Sequence, residues 1–265
     1  MTRRLIRRAG LMLAALLTAF GLALLPARAG DGPVIAAASS VQSAVTEIAA
    51  AFTAETGQAV RLSFGSTGNF ARQIREGAPY AVFLAADEDF ILGLYHDGIV
   101  ASAGDPYAEG RLVIIVPKGG ALAADPSLDG LAAALDAGQI DRFAIANPDH
   151  APYGLRAEEA LRHRGLWDRI TPLLVIGENV AQAAQFAVSG NAEGGIIAYS
   201  LALAPEVAAR SDHALIPADW HAPLRQRMVL LDAADPVAVA FYAYMQGTAA
   251  GAILARHGLA LPGEG

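Results

Sequence analysis

The chain of 265 residues contains no cysteine, which excludes a disulfide framework, a thiolate metal site, a cysteine nucleophile and a lipidated cysteine. Charge is also scarce, because charged residues make up 17% of the sequence and Lys118 is its single lysine. No repeat with a period of roughly 20–50 residues recurs, which argues against a repeat array. Apolar residues are plentiful at 54%, which argues against a disordered chain and fits one large or two small globular domains.

Only one apolar run is long enough to consider as a membrane span, and it lies at the N-terminus. Four arginines occur within the first eight residues, and the run Leu11–Leu25 that follows is about 15 residues long. A spanning helix needs roughly 20 residues, whereas Pro26 followed by Ala27-Arg28-Ala29 is typical of a signal peptidase site. We therefore predict that residues 1–29 are a signal peptide cleaved after Ala29. An uncleaved anchor is the alternative, and Thr2-Arg3-Arg4 leaves both the general and the twin-arginine export route open.

The excess of acidic residues argues against nucleic acid as a partner. The formal net charge is −7, and removal of residues 1–29, which carry five arginines and no acidic residue, would lower it to −12. Binding nucleic acid requires a basic face, which this composition does not favour. An exported chain with no cysteine to acylate is expected to move freely, which places it in a Gram-negative periplasm.

Strand-like apolar runs alternate with helical patterns along the rest of the chain. The predicted strands are Val34–Ala37, Val60–Ser63, Val82–Ala85, Leu112–Val116, Phe143–Ile145, Leu173–Val175, Gly195–Ala198 and Gln226–Leu230. The predicted helices are Val41–Thr56 with Gly57 as its stop, Asn69–Glu76, Glu88–Asp97, Gly154–His163, Val180–Ser189 and Pro236–Tyr244. This alternation predicts the α/β class, with open, mostly parallel sheets covered by helices on both faces.

Ligands of such sheets bind beyond the carboxyl ends of the strands, where the helices begin. Four of these junctions share one chemistry, and they lie at Ser39-Ser40, Gly65–Asn69, Asn147–Gly154 and Gly177–Val180. Each offers unpaired backbone N–H groups at the positive end of a helix, and the first two add hydroxyls, which favours an anion. At Gly65 and Gly68, bare backbone would let an oxyanion approach closely. Any single junction could also be an ordinary helix N-cap, because serine, threonine and asparagine are the usual caps.

The side chains missing from these loops narrow the class of anion. The first two loops contain neither lysine nor arginine, so neutral donors would have to meet the charge. They also contain no carboxylate, which a protonated oxyanion such as phosphate would want as an acceptor and a fully deprotonated tetrahedral dianion would not. Asp149 and Glu178 lie in the other two loops and weaken this inference.

The motifs at these junctions resemble those of the periplasmic molybdate-binding proteins of ABC transporters. The resemblance runs from Val34 to about Gly258. It rests on A-A-A-S at Ala36–Ser39, S-F-G-S-T-G at Ser63–Gly68, A-R-Q-I at Ala71–Ile74, G-A-P-x-x-V-F at Gly77–Phe83, A-A-D at Ala85–Asp87, N-P-x-x-A-P-Y-G at Asn147–Gly154 and E-N-V at Glu178–Val180. Each motif is weak alone, and together, in order and at family-like spacing, they are specific.

The resemblance implies a two-lobed periplasmic binding protein of type II, in which the chain crosses twice between lobes. The crossings are expected near Gly110-Arg111 and around Ala222–Gln226, so that lobe 1 comprises residues 30–110 and 222–265 and lobe 2 comprises residues 111–221. Such a protein is not an enzyme and uses no cofactor. It captures molybdate, and by expectation tungstate, in the cleft between the lobes and delivers it as a monomer to a membrane permease.

The resemblance also assigns site residues. Ser39 and Thr67 match the hydroxyl ligands of the first two loops, whereas Tyr153 and Val180 match positions that donate a backbone N–H. Further candidates are Ser40, Ser66 and Tyr199. The family's later ligand tyrosine falls on Ala198 here, so Tyr199 is expected to point the other way and Tyr153 to substitute. The family motif A-D-V-F also lacks its aspartate, because the chain has Ala81 there.

Two rival functions remain at this stage. One is a receptor for another oxyanion, such as sulfate, thiosulfate or phosphate. The other is a serine hydrolase that uses Ser39 or Ser66 with a histidine such as His150, although neither serine lies in a G-x-S-x-G elbow. No P-loop, dinucleotide fingerprint, HExxH or EF-hand pattern occurs in the sequence.

Overall fold

A computed structural model describes residues 32–263, and the predicted signal peptide lies outside them. The strands are β1 (Val34–Ala38), β2 (Arg61–Gly65), β3 (Val82–Ala85), β4 (Asp105–Gly110), β5 (Leu112–Pro117), β6 (Phe143–Ala146), β7 (Leu174–Gly177), β8 (Gly194–Ala198), β9 (Ser211–Leu215) and β10 (Leu224–Leu230). The helices are α1 (Gln42–Thr56), α2 (Thr67–Arg75), α3 (Glu88–His96), α4 (Asp129–Asp136), α5 (Pro152–His163), α6 (Trp167–Ile170), α7 (Val180–Val188), α8 (Tyr199–Ala202), α9 (Pro205–Ala208), α10 (Pro236–Met245) and α11 (Thr248–Arg256).

The strands form two five-stranded sheets with the same plan. Their orders are β2-β1-β3-β10-β4 and β7-β6-β8-β5-β9. Parallel strands make up one side of each sheet, and the fourth strand in each order, β10 or β5, runs antiparallel to both of its neighbours. Each sheet is therefore mixed, with two parallel and two antiparallel pairings, and the prediction of a two-lobed α/β fold is confirmed.

The chain passes between the sheets at two places. β4 of the first sheet ends at Gly110 and β5 of the second begins at Leu112, so a single residue, Arg111, separates them. The return runs from β9, which ends at Leu215, to β10, which begins at Leu224. Each reversed strand, β5 or β10, is thus the first strand after a passage, and the two passages lie side by side where a hinge would act.

Helices cover both faces of the first sheet, as the alternating side chains of β1 show. Ile35 and Ala37 pack into a core cluster that includes Phe52 of α1 and Phe241 of α10. Ala36 points to the opposite face and packs into a separate cluster with residues of α2 and α3. Successive strand residues face opposite sides of a sheet, so a strand buried on both faces reads as a continuous apolar run. This is the sequence pattern from which β1 is predicted.

All eight predicted strands and all six predicted helices overlap elements of the structure. The elements missing from the prediction are β4, β9, α4, α6, α8, α9 and α11. β4 and β9 are edge strands, which pair on one side only, with β10 and β5 respectively. Edge strands tolerate polar residues and proline, so they lack the apolar run from which a strand is predicted. α6, α8 and α9 span four residues each, too few to show a helical period.

Within residues 32–263 no single helix has the length and apolar composition needed to cross a membrane. α10 and α11 have the required length and apolar composition only when taken together, and this pair is bent by 60° at the break between the two helices.

Candidate functional site

A small cavity lies where the carboxyl ends of parallel strands from both sheets face each other. Its lining residues are Ala38, Ser39, Ser40, Gly65, Ser66, Thr67, Ala86, Ala151, Pro152, Tyr153 and Val180. They follow β1, β2 and β3 in the first sheet and β6 and β7 in the second. The cavity volume is about 10 Å³, room for about one water-sized group, whereas pockets for organic ligands usually measure about 300–1,000 Å³. Its size therefore suits a small ion.

The structure brings together six of the seven residues singled out in the sequence, namely Ser39, Ser40, Ser66, Thr67, Tyr153 and Val180. Tyr199 does not line the cavity, which corrects its candidacy. β8 ends at Ala198, and Tyr199 begins α8 with its ring under the guanidinium of Arg111, 4.6 Å from Cζ to the ring centroid. The neighbouring Ser200 points the other way, toward the cavity loops, and its hydroxyl donates to the Ser40 carbonyl at 2.6 Å.

The cavity hydroxyls keep hydrogens that no protein group accepts. Thr67 Oγ1 accepts from the backbone N–H of Ala86 at 3.0 Å, and Ser39 Oγ accepts from the N–H of Ala181 at 3.3 Å. A hydroxyl that accepts one hydrogen bond still has its own hydrogen to donate. Ser40 Oγ is buried and makes no hydrogen bond of good geometry within the described part of the chain, although it lies close enough to the Tyr153 hydroxyl to lower the pKa of that phenol. Ser40 is thus the one unpaired hydroxyl of these three, and Thr67 and Ser39 each have a hydrogen left to donate.

Backbone N–H groups converge on the same cavity from three helix starts. Thr67, Tyr153 and Val180 lie in the first turns of α2, α5 and α7, where a backbone N–H has no acceptor within its own helix. Among residues 32–263, none of these three N–H groups donates to another protein group. Asn179 caps α7 by accepting from the N–H groups of Ala181 and Gln182, both at 3.1 Å, which leaves the N–H of Val180 free. Three positive helix ends therefore face one small space.

Among residues 32–263, no charged side chain lines the cavity. Ionisable side chains on the adjoining loops have partners of their own. Arg156 of α5 binds Asp87, which follows β3, with Nη2 and Oδ2 2.6 Å apart. His150 lies with Nε2 3.7 Å from Glu178 Oε1. The cavity consequently offers neutral donors, as the composition of the first two loops predicts.

Tyr153 contributes differently at its two ends. Its backbone N–H lies at the start of α5, whereas its hydroxyl reaches the passage between the sheets and accepts from Gln226 Nε2 at 3.2 Å. Gln226, on β10, is fully buried, and its Oε1 accepts from the hydroxyl of Tyr107 at 2.8 Å. Burial raises the pKa of the Tyr153 phenol well above its ordinary value, so the group stays protonated. Tyr153 thus fills the space between the cavity and the hinge.

Gly110 makes room for the Tyr153 hydroxyl. A Cβ at position 110 would lie 2.1 Å from that oxygen and 2.8 Å from Gln226 Nε2. Sequence reasoning found neither Gln226 nor this requirement at Gly110. Gln226 is 73 residues from Tyr153 along the chain and lies in an otherwise ordinary strand, so no local sequence pattern predicts the contact.

The loops of the two sheets touch across the cavity. The N–H of Gly68 donates to the carbonyl of His150 at 2.9 Å, and His150 Nδ1 lies 2.9 Å from Ser66 Oγ. Gly68 was predicted to admit an oxyanion, but a Cβ there would lie 2.7 Å from the His150 carbonyl oxygen. Its missing side chain therefore serves the contact between the loops. A Cβ on Gly65 would likewise meet a protein group, the Phe70 ring, at 3.1 Å.

Comparison with known proteins supports the same reading of the fold. The family model of bacterial extracellular solute-binding proteins matches residues 33–260. A protein named molybdate-binding protein ModA from Rhodobacter capsulatus is 36% identical over 92% of this chain and 93% of its own. Its namesake from Azotobacter vinelandii is 35% identical over 94% of this chain and 98% of its own. A solved structure of the periplasmic molybdate-binding protein of Azotobacter vinelandii, 32% identical, superposes with a TM-score of 0.77 and covers 87% of this chain and 99% of its own.

Proposed function

The chain belongs to the family of bacterial extracellular solute-binding proteins, and we propose that it captures molybdate in the cavity between its two lobes. One observation carries the proposal: hydroxyl and backbone N–H groups with hydrogens left to donate meet at a cavity that no charged side chain of residues 32–263 lines. Such a set of donors fits a fully deprotonated tetrahedral dianion, because every oxygen is an acceptor and none carries a hydrogen. The relatives named molybdate-binding proteins point to the same class of ion.

Each candidate residue has a defined role in this proposal. Ser39 and Thr67 donate from their hydroxyls, and Tyr153 and Val180 donate from the backbone. Ser40 and Ser66 supply further hydroxyls at the same wall. The backbone of Tyr153 is the proposed donor because its N–H lies at the start of α5, whereas its hydroxyl lies at the hinge beside Gly110 and Gln226.

Neutral donors are strong enough for this task. A hydrogen bond to a charged group contributes about 1.5–3 kcal/mol net, so four of them supply roughly 6–12 kcal/mol. A micromolar dissociation constant corresponds to about −8 kcal/mol. Fixed donors also select by radius, so the longer metal–oxygen bonds of molybdate and tungstate would separate both ions from sulfate. Tungstate, of the same shape and charge, is expected to bind as well.

Transport would follow capture of the ion. Lobe 1 comprises residues 30–110 and 222–265, and lobe 2 comprises residues 111–221, so that closure about the two passages traps the ion. The protein is exported, and we propose that it works in the periplasm after cleavage behind Ala29. As a monomer it would present the closed form to an ABC-transporter permease.

The contact between Ser66 and His150 does not make the protein a hydrolase. The 2.9 Å approach of the imidazole to Ser66 Oγ looks like a nucleophile with its base. However, Ser66 Oγ also caps α2 by accepting from the N–H of Asn69, and the family is one of transport proteins, not enzymes. The pair instead joins the two lobes at the edge of the cavity.

Isothermal titration with molybdate, tungstate and sulfate tests the proposal. We expect submicromolar binding of the first two ions and binding of sulfate at least about 100-fold weaker. The double variant Ser39→Ala with Thr67→Ala should lose about 100-fold or more in molybdate affinity, since two charge-assisted hydrogen bonds disappear. The matched control removes the exposed hydroxyls of Thr171 and Ser189, which lie outside the cavity, and should bind as the wild type does. Unchanged affinity in the Ser39/Thr67 variant would show that the site is wrongly placed.

A further inference from the structure

A buried ion pair joins the two lobes beside the cavity. Arg156 Nη2 and Asp87 Oδ2 are 2.6 Å apart, and the two side chains are 9% and 8% exposed. Asp87 follows β3 in the first sheet and caps α3 by accepting from the N–H of Asp89 at 3.0 Å. Arg156 belongs to α5, one turn after Tyr153. Neither residue lines the cavity.

The same arginine reaches the return passage through a second carboxylate. Arg156 Nη1 donates to Glu159 Oε1 at 2.6 Å, and Glu159 Oε2 accepts from the backbone N–H of Ala222 at 2.8 Å. Ala222 lies just before β10, in the segment that leads back to the first sheet. One guanidinium therefore connects the cavity wall of lobe 1, a helix of lobe 2 and the hinge.

The physical need for Arg156 follows from where Asp87 lies. Separation of the lobes would leave both charges in water, whereas closure takes both out of it. A buried carboxylate that has lost its partner costs far more than an exposed one. Asp87 is also the chain neighbour of Ala86, which lines the cavity and donates its N–H to Thr67. An uncompensated charge there would repel a bound anion as well.

We propose that Arg156 is a positioning residue whose guanidinium neutralises Asp87 in the closed cleft and thereby sets the affinity for the oxyanion. The proposal rests on the proposed function and deepens it. Arg156 does not touch the ion, and its effect passes through Asp87, the start of α3 and the closed arrangement of the lobes.

Titration of molybdate into the Arg156→Met variant tests this role. At pH 7.5 we expect the dissociation constant to rise about 100-fold or more, because closure buries the Asp87 carboxylate alone. Burial already raises the pKa of Asp87 next to Arg156, and loss of the guanidinium would raise it further in the closed state. The closed state of the variant then binds a proton that the open state does not. Its molybdate affinity should therefore rise steadily as the pH falls from about 7.5 to about 5.

A second variant separates charge compensation from packing. In Arg156→Met with Asp87→Asn, no charge is buried, so we expect molybdate affinity at pH 7.5 to return to within about tenfold of the wild type. The matched control is Arg162→Met on the same helix, whose guanidinium pairs with Glu158 at 2.7 Å within lobe 2. Its affinity should stay within about twofold of the wild type at each pH.

The outcomes distinguish the proposal from the function on which it rests. Arg156→Met that binds molybdate like the wild type overturns the role of Arg156. A weakened Arg156→Met without pH dependence, which Asp87→Asn does not rescue, also overturns it, since the loss would then be one of packing. If Arg156→Met fails to fold, the double variant alone decides, and a loss of more than about tenfold there contradicts the proposal. A wild-type chain that binds no oxyanion contradicts the proposed function itself.

Discussion

At the scale of single residues, the proposed site depends on hydroxyls that accept one hydrogen bond from the backbone and keep their own hydrogen. Thr67 and Ser39 both have this arrangement. The junctions that contain them could be predicted from the sequence, because ligands of such sheets bind beyond the carboxyl ends of the strands, whereas their choice as ligands comes from the family resemblance. Arg156 and Gln226 could not be predicted, because they act on residues 69 and 73 positions away. The sequence pattern of a single helix or strand does not indicate a partner that is distant along the chain.

The Gly110 contact gives a prediction at this scale. Gly110→Ala places a methyl group 2.1 Å from the Tyr153 hydroxyl, so we expect the free energy of unfolding to fall by about 1–3 kcal/mol and molybdate affinity to fall with it. Urea denaturation and titration measure the two effects. Adding Tyr153→Phe removes the clashing oxygen and should recover part of both losses. Losses that are simply additive in the double variant would show that the hydroxyl is not the obstacle.

At the scale of elements, the proposed site depends on where the helices start and not on how long they are. Within residues 32–263, the apolar runs predict eight of the ten strands and six of the eleven helices, and the buried strands β1, β3 and β5 are found almost to the residue. The edge strands β4 and β9 are not predicted, because their composition is polar. Local sequence patterns also do not predict that α2, α5 and α7 converge on one point, since this depends on the order of strands in two separate sheets.

Two helix caps provide a matched pair of variants. Asn179→Ala removes the cap of α7, which presents the N–H of Val180, and Asp235→Ala removes the equivalent cap of α10, far from the cavity. Each should lower the free energy of unfolding by about 1 kcal/mol, as measured by urea denaturation. Only Asn179→Ala should also weaken molybdate binding, by about tenfold. Equal affinities in the two variants would argue that the start of α7 is not part of the site.

At the scale of the whole molecule, a negatively charged protein is proposed to bind a dianion. The formal net charge, −7 for the full chain and −12 after removal of residues 1–29, repels the ion at long range, and the neutral cavity contributes no attraction of that kind. Binding therefore depends on short-range donors that closure brings together. This balance predicts an unusual response to salt.

Salt screens long-range forces with a Debye length of about 10 Å at 0.1 M. Raising NaCl from about 0.02 to about 0.2 M should leave molybdate affinity unchanged or strengthen it by a few-fold at most, because only repulsion is screened. Titration at several salt concentrations measures this, with potassium gluconate as a check on chloride competition. A tenfold loss of affinity would indicate that a cationic side chain holds the ion.

The most direct test of the account is a crystal structure grown with molybdate, with the ion located by its anomalous scattering at the molybdenum absorption edge. We predict a single peak in the cavity, with oxygens within hydrogen-bond distance of Ser39 Oγ, Thr67 Oγ1 and the backbone nitrogens of Tyr153 and Val180. A peak elsewhere, or an ion held by an arginine side chain, would contradict the claim that neutral donors from both lobes bind it.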